Sequence, residues 1–199
     1  IALPRLQRME NDIEKMVRDL SSQTIERAEF DWRAHLDEVL GEADTEVLGA
    51  EIEEAARWEK TEALETLCES RFSVLMGGAG TGKTTVVDSL LKGLNEIEGH
   101  SSKLLLAPTG KARVRLEEAA GEEARTIHQF LTSKGWLGQD FALHEEGDDT
   151  GGARTVIVDE ASMIPTDLLA TLVRALDTNI VKRLILIGDP NQLPPIGDR

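Results

Sequence analysis

Gly77-Gly78-Ala79-Gly80-Thr81-Gly82-Lys83-Thr84 decides how this chain is read. It has the spacing G-x-x-x-x-G-K-[ST] in full, and a second threonine, Thr85, follows it. Glycines let a backbone wrap closely with conformations other residues avoid, so that successive N–H groups converge on one point. Such a ring, closed by a lysine and by the positive end of a following helix, is suited to a polyphosphate. The expected nucleotide contacts are therefore Gly77, Gly78, Ala79, Gly80, Thr81, Gly82, Lys83, Thr84 and Thr85. Lys83 is expected at the β and γ phosphates, and the Thr84 hydroxyl on Mg²⁺.

The context is the required one. Phe72–Met76 is a short apolar run of buried-strand type, and a helical pattern runs from Lys83 to about Asn95. Further out, Leu104–Ala107, Thr155–Val158 and Leu184–Ile187 read as strands, and Lys111–Ala120, Thr126–Leu131 and Pro165–Leu176 as helices. Strand and helix in alternation predict an α/β fold with a parallel sheet covered by helices on both faces. Between Leu131 and Ala153 the alternation fails, in a glycine-rich acidic stretch with Trp136, Leu137, Phe141 and Leu143 as apolar members. A small β-hairpin insertion over 131–153 is expected there. Its aromatic side chains either pin it to the main body or offer a stacking surface.

A second carboxylate-bearing element follows about seventy residues after the loop. Val156-Ile157-Val158-Asp159-Glu160 is an apolar strand ending in two acids. Asp159 is expected to hold the metal with Thr84, and Glu160 to orient or deprotonate an attacking water.

Upstream, Ile13, Met16, Val17 and Leu20 form one helical stripe, followed by Ile25, Phe30, Leu36, Val39 and Leu40. Gly41–Thr45 breaks the pattern, and Val47–Leu67 reads as one or two more helices. An N-terminal helical segment over 1–48 and a main domain over 49–199 are the expected divisions. The net charge of −15 sits unevenly. Residues 1–70 hold 8 Lys+Arg against 19 Asp+Glu, whereas the rest hold 14 against 18. Acidity therefore belongs mainly to the N-terminal part, which leaves a local basic strip elsewhere compatible with nucleic acid.

Cys68 is the sole cysteine, so a disulfide framework and a thiolate metal cluster are both excluded, and it reads as a small core residue. No apolar run approaches membrane-spanning length, and Ile1–Glu10 is mixed and polar. A cytoplasmic chain with no membrane partner is expected.

Five blocks together resemble the successive motifs of superfamily 1 DNA helicases of the RecD-like branch. They are Gly77–Thr85, Ala107-Pro108-Thr109-Gly110-Lys111-Ala112-Arg113, Thr126-Ile127-His128, Val158-Asp159-Glu160-Ala161-Ser162-Met163, and Gly188-Asp189-Pro190-Asn191-Gln192-Leu193-Pro194-Pro195. The last is the most discriminating. The resemblance runs from about residue 57 to the end of the chain and implies a RecA-like P-loop fold, the first motor domain of an ATP-dependent helicase that moves 5′ to 3′. By the same resemblance Gln192 senses the γ-phosphate, and Pro108, Thr109, Lys111, Thr126 and His128 line a single-stranded DNA path. Lys111, Arg113 and Arg115 add positive charge suited to phosphates. For Arg113 and Arg115, pairing with Glu117 and Glu118 along the helix is the competing reading.

The chain departs from the pattern in two respects. Lys60 in Trp58-Glu59-Lys60-Thr61-Glu62-Ala63-Leu64 stands where superfamily members carry an adenine-reading glutamine. The chain also starts at Ile1 and ends at Gly197-Asp198-Arg199, just past the last block, so a fragment lacking the second motor domain and its arginine is expected. The helicase half of a conjugative relaxase and a nucleotide-dependent switch without unwinding activity are the alternatives.

Overall fold

A computed structural model describes residues 2–41, 49–78, 80–138, 142–144, 147, 152–189 and 191–192. Five parallel strands form one sheet in the order β1-β5-β4-β2-β3: β1 Phe72–Met76, β2 Lys103–Ala107, β3 Ala124–Thr126, β4 Thr155–Val158 and β5 Arg183–Gly188. The helices are α1 Ala2–Ser21, α2 Trp32–Leu40, α3 Ala50–Glu69, α4 Lys83–Glu98, α5 Gly110–Ala120, α6 Ile127–Ser133 and α7 Thr166–Ala175. A 3₁₀ turn, Ala161–Met163, follows β4.

Side chains alternate across each strand, and the two faces build two cores. Leu106, Val156, Val158 and Leu184 face Met16 and Leu20 of α1, Ile127, Phe130 and Leu131 of α6, and Leu168 and Leu172 of α7. Leu105, Ile157, Ile185 and Ile187 face the opposite way, onto Leu36 of α2, Leu64 and Leu67 of α3, Val86, Val87, Leu90 and Leu91 of α4, and Leu116 of α5. Both faces of the sheet are thereby covered, as the apolar runs require. Cys68 lies in the second core at 3% exposure, and burial pushes its thiol pKa up.

The two N-terminal helices go to opposite faces. α1 packs on α7, with Arg174 Nε donating to Asp12 at 2.8 Å, whereas α2 packs on α3 and α4. Arg57 of α3, almost fully buried, donates to Asp37 and to the Gly41 carbonyl oxygen, which clips the end of α2 in position.

Several elements differ in extent from the sequence expectation. Where one or two helices were expected over Val47–Leu67, the described part of that stretch forms the single helix α3, and α4 runs on to Glu98. The short helix expected from Thr126 begins at Ile127, because Thr126 ends β3 and caps α6: its hydroxyl accepts from Gln129 N at 3.1 Å while Gln129 Oε1 accepts from Thr126 N at 2.9 Å. β3 itself, three residues paired with Leu105–Ala107, is too short to show a period. In the insertion, an isolated antiparallel bridge joins Leu137 to Leu143, and Trp136 and Leu137 are buried in the core beside α6. Phe141 lies outside the described residues. Among the described residues no helix is long and apolar enough to cross a membrane.

Candidate nucleotide site and the adjoining sheet edge

Parallel strands send all their carboxyl ends to one edge, and that edge is where such sheets offer ligand sites. Here the register aligns the ends closely. Met76 pairs with Gly188, Val158 with Leu186, Leu106 with Val158, and Ala107 with Thr126. The loop after β1, the acids after β4, the turn after β5 and the starts of α5 and α6 therefore share one rim.

The loop is fastened at both ends. Gly77 N donates to Gly188 O at 3.2 Å, and Thr81 Oγ1 donates to Gly78 O at 3.0 Å. A Cβ on Gly77 would stand 2.6 Å from Thr81 Oγ1, so a larger residue there would displace the hydroxyl that fastens the turn. Gly80 and Gly82 take φ of 79° and 84°, the left-handed region that other residues rarely adopt, and Gly82 then starts α4. Lys83 folds back into the loop, donating to Gly77 O at 2.5 Å and Gly78 O at 2.8 Å. Ala79 lies outside the described residues. Thr85 is half-buried on α4, and Thr84 is exposed.

After β4, Asp159 N donates to Leu106 O at 2.9 Å, which holds the strand end against β2. Glu160 N donates to Asp159 Oδ1 at 2.8 Å, and Glu160 has φ 49°, an uncommon conformation for a residue with a side chain. Such local strain is the kind concentrated at functional sites. Burial pushes the Asp159 carboxyl above the usual carboxylate range, and the Glu160 N–H and the Lys83 charge pull it only partly back. After β5, Asp189 is buried and accepts from Asn191 N at 2.9 Å, while Gln192 N donates to Asp189 O at 3.1 Å.

These loops enclose a cavity of about 250 Å³ lined by Gly80, Lys83, Thr84, Asp159, Glu160 and Gln192, among others. Six of the expected nucleotide and metal residues thus converge on one space. Three further charged residues on or beside it stood outside the expected nucleotide and metal set, although the sequence had marked Arg115 as a charge suited to phosphates and Lys60 as the occupant of the glutamine position. Asp189 had a legible signal, since an apolar strand ends in it as β4 ends in Asp159. Arg115 reaches the cavity from α5. Lys60 of α3 lies against the loop, with its Cε 2.9 Å from where a Cβ on Gly82 would stand.

The residues expected on a DNA path do not line this cavity. Pro108, Thr109 and Lys111 follow β2, and Thr126 and His128 follow or end β3, so they form a neighbouring group along the same rim. The Thr109 hydroxyl accepts from Ala112 N at 3.2 Å and caps α5; Lys111 is exposed in its first turn. Thr126 is likewise a cap, and His128 is half-buried. Pro190 and residues 193–195 of the last block lie outside the described residues.

The family described as "AAA domain" matches residues 60–198. The RecBCD enzyme subunit RecD of Haemophilus influenzae is 34% identical over 168 residues, which take in 73% of this chain and 25% of that protein. The ATP-dependent RecD2 DNA helicase of Deinococcus radiodurans is 37% identical over 141 residues, covering 69% of this chain and 18% of the relative. The chain thus spans a quarter or less of the length of these two relatives. Among solved structures, the Pif1 helicase from Candida albicans matches with a TM-score of 0.45 and 23% identity, over 71% of this chain and 33% of that one.

Proposed function

Since the chain belongs to the AAA-domain family, and within it to the RecD-like superfamily 1 helicases, we propose that it is the nucleotide-driven motor domain of an ATP-dependent DNA helicase. The observation that carries this reading is the convergence of Lys83, Thr84, Asp159, Glu160 and Gln192 on one cavity, beside the group at the ends of β2 and β3. In it, residues 49–199 are the motor domain with an insertion over 131–153, residues 1–48 a helical segment docked on it, and a second motor domain completes the cleft. Single-stranded DNA runs along Pro108, Thr109, Lys111, Thr126 and His128, and movement is 5′ to 3′.

The loop N–H groups and Lys83 bind the ATP phosphates and orient the γ-phosphate for in-line attack. Glu160 holds the attacking water by its proton, and Gln192 contacts the γ-phosphate from the β5 turn. The donor set fits Mg²⁺: Thr84 hydroxyl and Asp159 carboxylate are hard oxygen ligands, and among the described residues no cluster of three or more His, Cys, Asp or Glu competes for another metal. When bound, Mg²⁺ neutralises charge on the β and γ phosphates.

The test is ATP turnover by the full-length protein with and without single-stranded DNA, and unwinding of duplexes tailed at either the 5′ or the 3′ end. Turnover should rise with single-stranded DNA, and the 5′-tailed substrate should be opened. Glu160→Gln should keep Mg²⁺-ATP affinity while turnover drops by roughly 10²–10⁴. Absent ATP turnover, or turnover indifferent to both DNA and Glu160, would sink the reading.

A further inference from the structure

The nucleotide cavity has a wall that comes from none of the loops after β1, β4 or β5. α5 supplies it, contributing Arg115, Leu116 and Ala119 to a lining that also includes Lys83, Asp159, Glu160 and Gln192. Leu116 is buried at 3% exposure, so the helix is anchored there and its flanking residues are held in register with the cavity. α5 carries two arginines, and the structure treats them differently. Arg113 donates to Glu117 at 2.5 Å, so its charge is met on its own helix. Arg115 is exposed, and among the described residues its side chain has no ion pair and no hydrogen bond. In a chain with 37 acids against 22 bases, this arginine lines a cavity with no carboxylate among the described residues to neutralise it.

The cavity's contents say which part of a nucleotide meets this arginine. At about 250 Å³ it is below the usual size for a whole drug-like ligand. It is lined by the phosphate lysine, the hydroxyl and carboxylate that suit a metal, and the acid that suits a water. That is the phosphate end of the site. A guanidinium offers a planar fork of donors that matches two oxygens of one phosphate.

We propose that Arg115 binds the terminal phosphate of the nucleoside triphosphate, as a cation supplied by the motor domain itself from α5. This deepens the proposed function and rests on it. A consequence follows from helix geometry. Lys111 and Arg115 are four residues apart and so share a face of α5, about 6 Å along its axis. One rigid helix then joins the first-turn lysine of the DNA-side group to the γ-phosphate. A γ-phosphate held by Arg115 pulls on the same element that the DNA-side group begins.

Equilibrium binding of ADP and of a non-hydrolysable ATP analogue to the full-length protein tests this, with wild type, Arg115→Ala, Arg115→Lys and Arg113→Ala compared. Arg115→Ala should weaken the triphosphate analogue by about tenfold to a hundredfold, the scale of losing a charge-assisted hydrogen bond, and leave ADP within about twofold. Arg115→Lys should fall between, because charge is kept and the fork is lost. Arg113→Ala should bind both nucleotides as wild type does. An unchanged preference for triphosphate in Arg115→Ala, an equal loss for ADP, or the same loss in Arg113→Ala would each overturn the assignment. If Arg115→Ala does not fold, Arg115→Lys decides: a triphosphate affinity equal to wild type overturns it. Wild type that binds the triphosphate analogue while Arg115 is indifferent removes this inference alone; wild type that binds neither nucleotide removes the nucleotide site itself.

Discussion

The Lys83 ammonium donates to the carbonyl oxygen of Gly78 at 2.8 Å, across the loop that precedes its own helix. A cation is thereby held inside a glycine-rich turn by that turn's own carbonyl oxygens, those of Gly77 and Gly78. The position follows from Gly82, whose left-handed backbone aims the first residue of α4 back over the loop.

Replacing that residue should remove nucleotide binding without unfolding the protein. Lys83→Ala deletes the point charge for the β and γ phosphates, and Mg²⁺-ATP affinity should fall by roughly a hundredfold or more. α4 remains anchored by Val86, Val87, Leu90 and Leu91, all buried, so the melting temperature should move by only a few degrees, roughly the effect of about 1 kcal/mol. Calorimetric titration alongside thermal melting checks both halves. Normal ATP affinity in the variant would dismiss the loop as the phosphate site.

Lys60 should relax base selectivity. On the proposed reading it takes the place of the adenine-reading glutamine, and its side chain reaches the loop at Gly82. Glutamine both donates and accepts, which matches adenine N7 and N6; lysine only donates, and guanine offers two acceptors, N7 and O6. The wild-type protein is expected to use GTP nearly as well as ATP, and Lys60→Gln to shift kcat/KM toward ATP by about tenfold. Parallel turnover measurements with the two nucleotides read the ratio, and an unaltered ratio counts against a base-reading role.

Gly93 marks where α4 meets α2. A Cβ there would fall 2.4 Å from Trp32 Cζ3 and 2.6 Å from Cη2, with Phe30 at 3.2 Å. Alanine improves helix propensity by about 1 kcal/mol, but overpacking against a buried indole costs about 1–3 kcal/mol. Gly93→Ala should therefore be neutral to destabilising by up to about 2 kcal/mol, and α2 should loosen from α4. Urea unfolding followed by tryptophan fluorescence reports both. Clear stabilisation would mean the indole has room to move.

Glu98 should set part of the acid limit of stability. At the end of α4 it lies 2.5 Å from Lys182 Nζ and 2.8 Å from Arg183 Nη1, while Arg183 Nε donates to Cys68 O at 2.7 Å. Burial pushes the Glu98 carboxyl up, yet the hydrogen bonds and charges of Lys182 and Arg183 outweigh that and hold it below the usual range. A depressed carboxylate stabilises the fold above its unfolded pKa, near 4.3, and that stability is lost as pH falls through the lower folded value. Arg183 is 1% exposed, so Glu98→Gln leaves a buried charge unmatched and should cost roughly 3–5 kcal/mol at neutral pH. The gap between variant and wild type should begin to narrow below about pH 4.3 and close only once pH falls past the lower folded value. Urea midpoints measured across that range test it, and a gap independent of pH would rule out the ion pair as its source.

The sequence by itself determined the parts whose physics is local. The octapeptide at 77–84 needs only glycine conformations and a following helix start, and both are read from neighbouring residues. β4 and β5 were legible because a strand buried on both faces must be an apolar run, and β1 and β2 because they too are short apolar runs, although Val74 and Met76 on the edge strand β1 stay exposed. Asp159 and Glu160 were legible as the polar end of such a run. What only the tertiary structure decided are relationships between elements remote in the chain. β5 and β4 insert between β1 and β2, which brings Gly188 beside Gly77. Arg183 finds Glu98 across 85 residues, and Lys60 reaches Gly82 from a helix that ends before β1. Arg113 and Arg115 were equal by charge and helical spacing. Burial of Leu116 fixes how α5 is turned against the second core, and that rotation gave Arg115 to the cavity while Arg113 kept its own helix's Glu117.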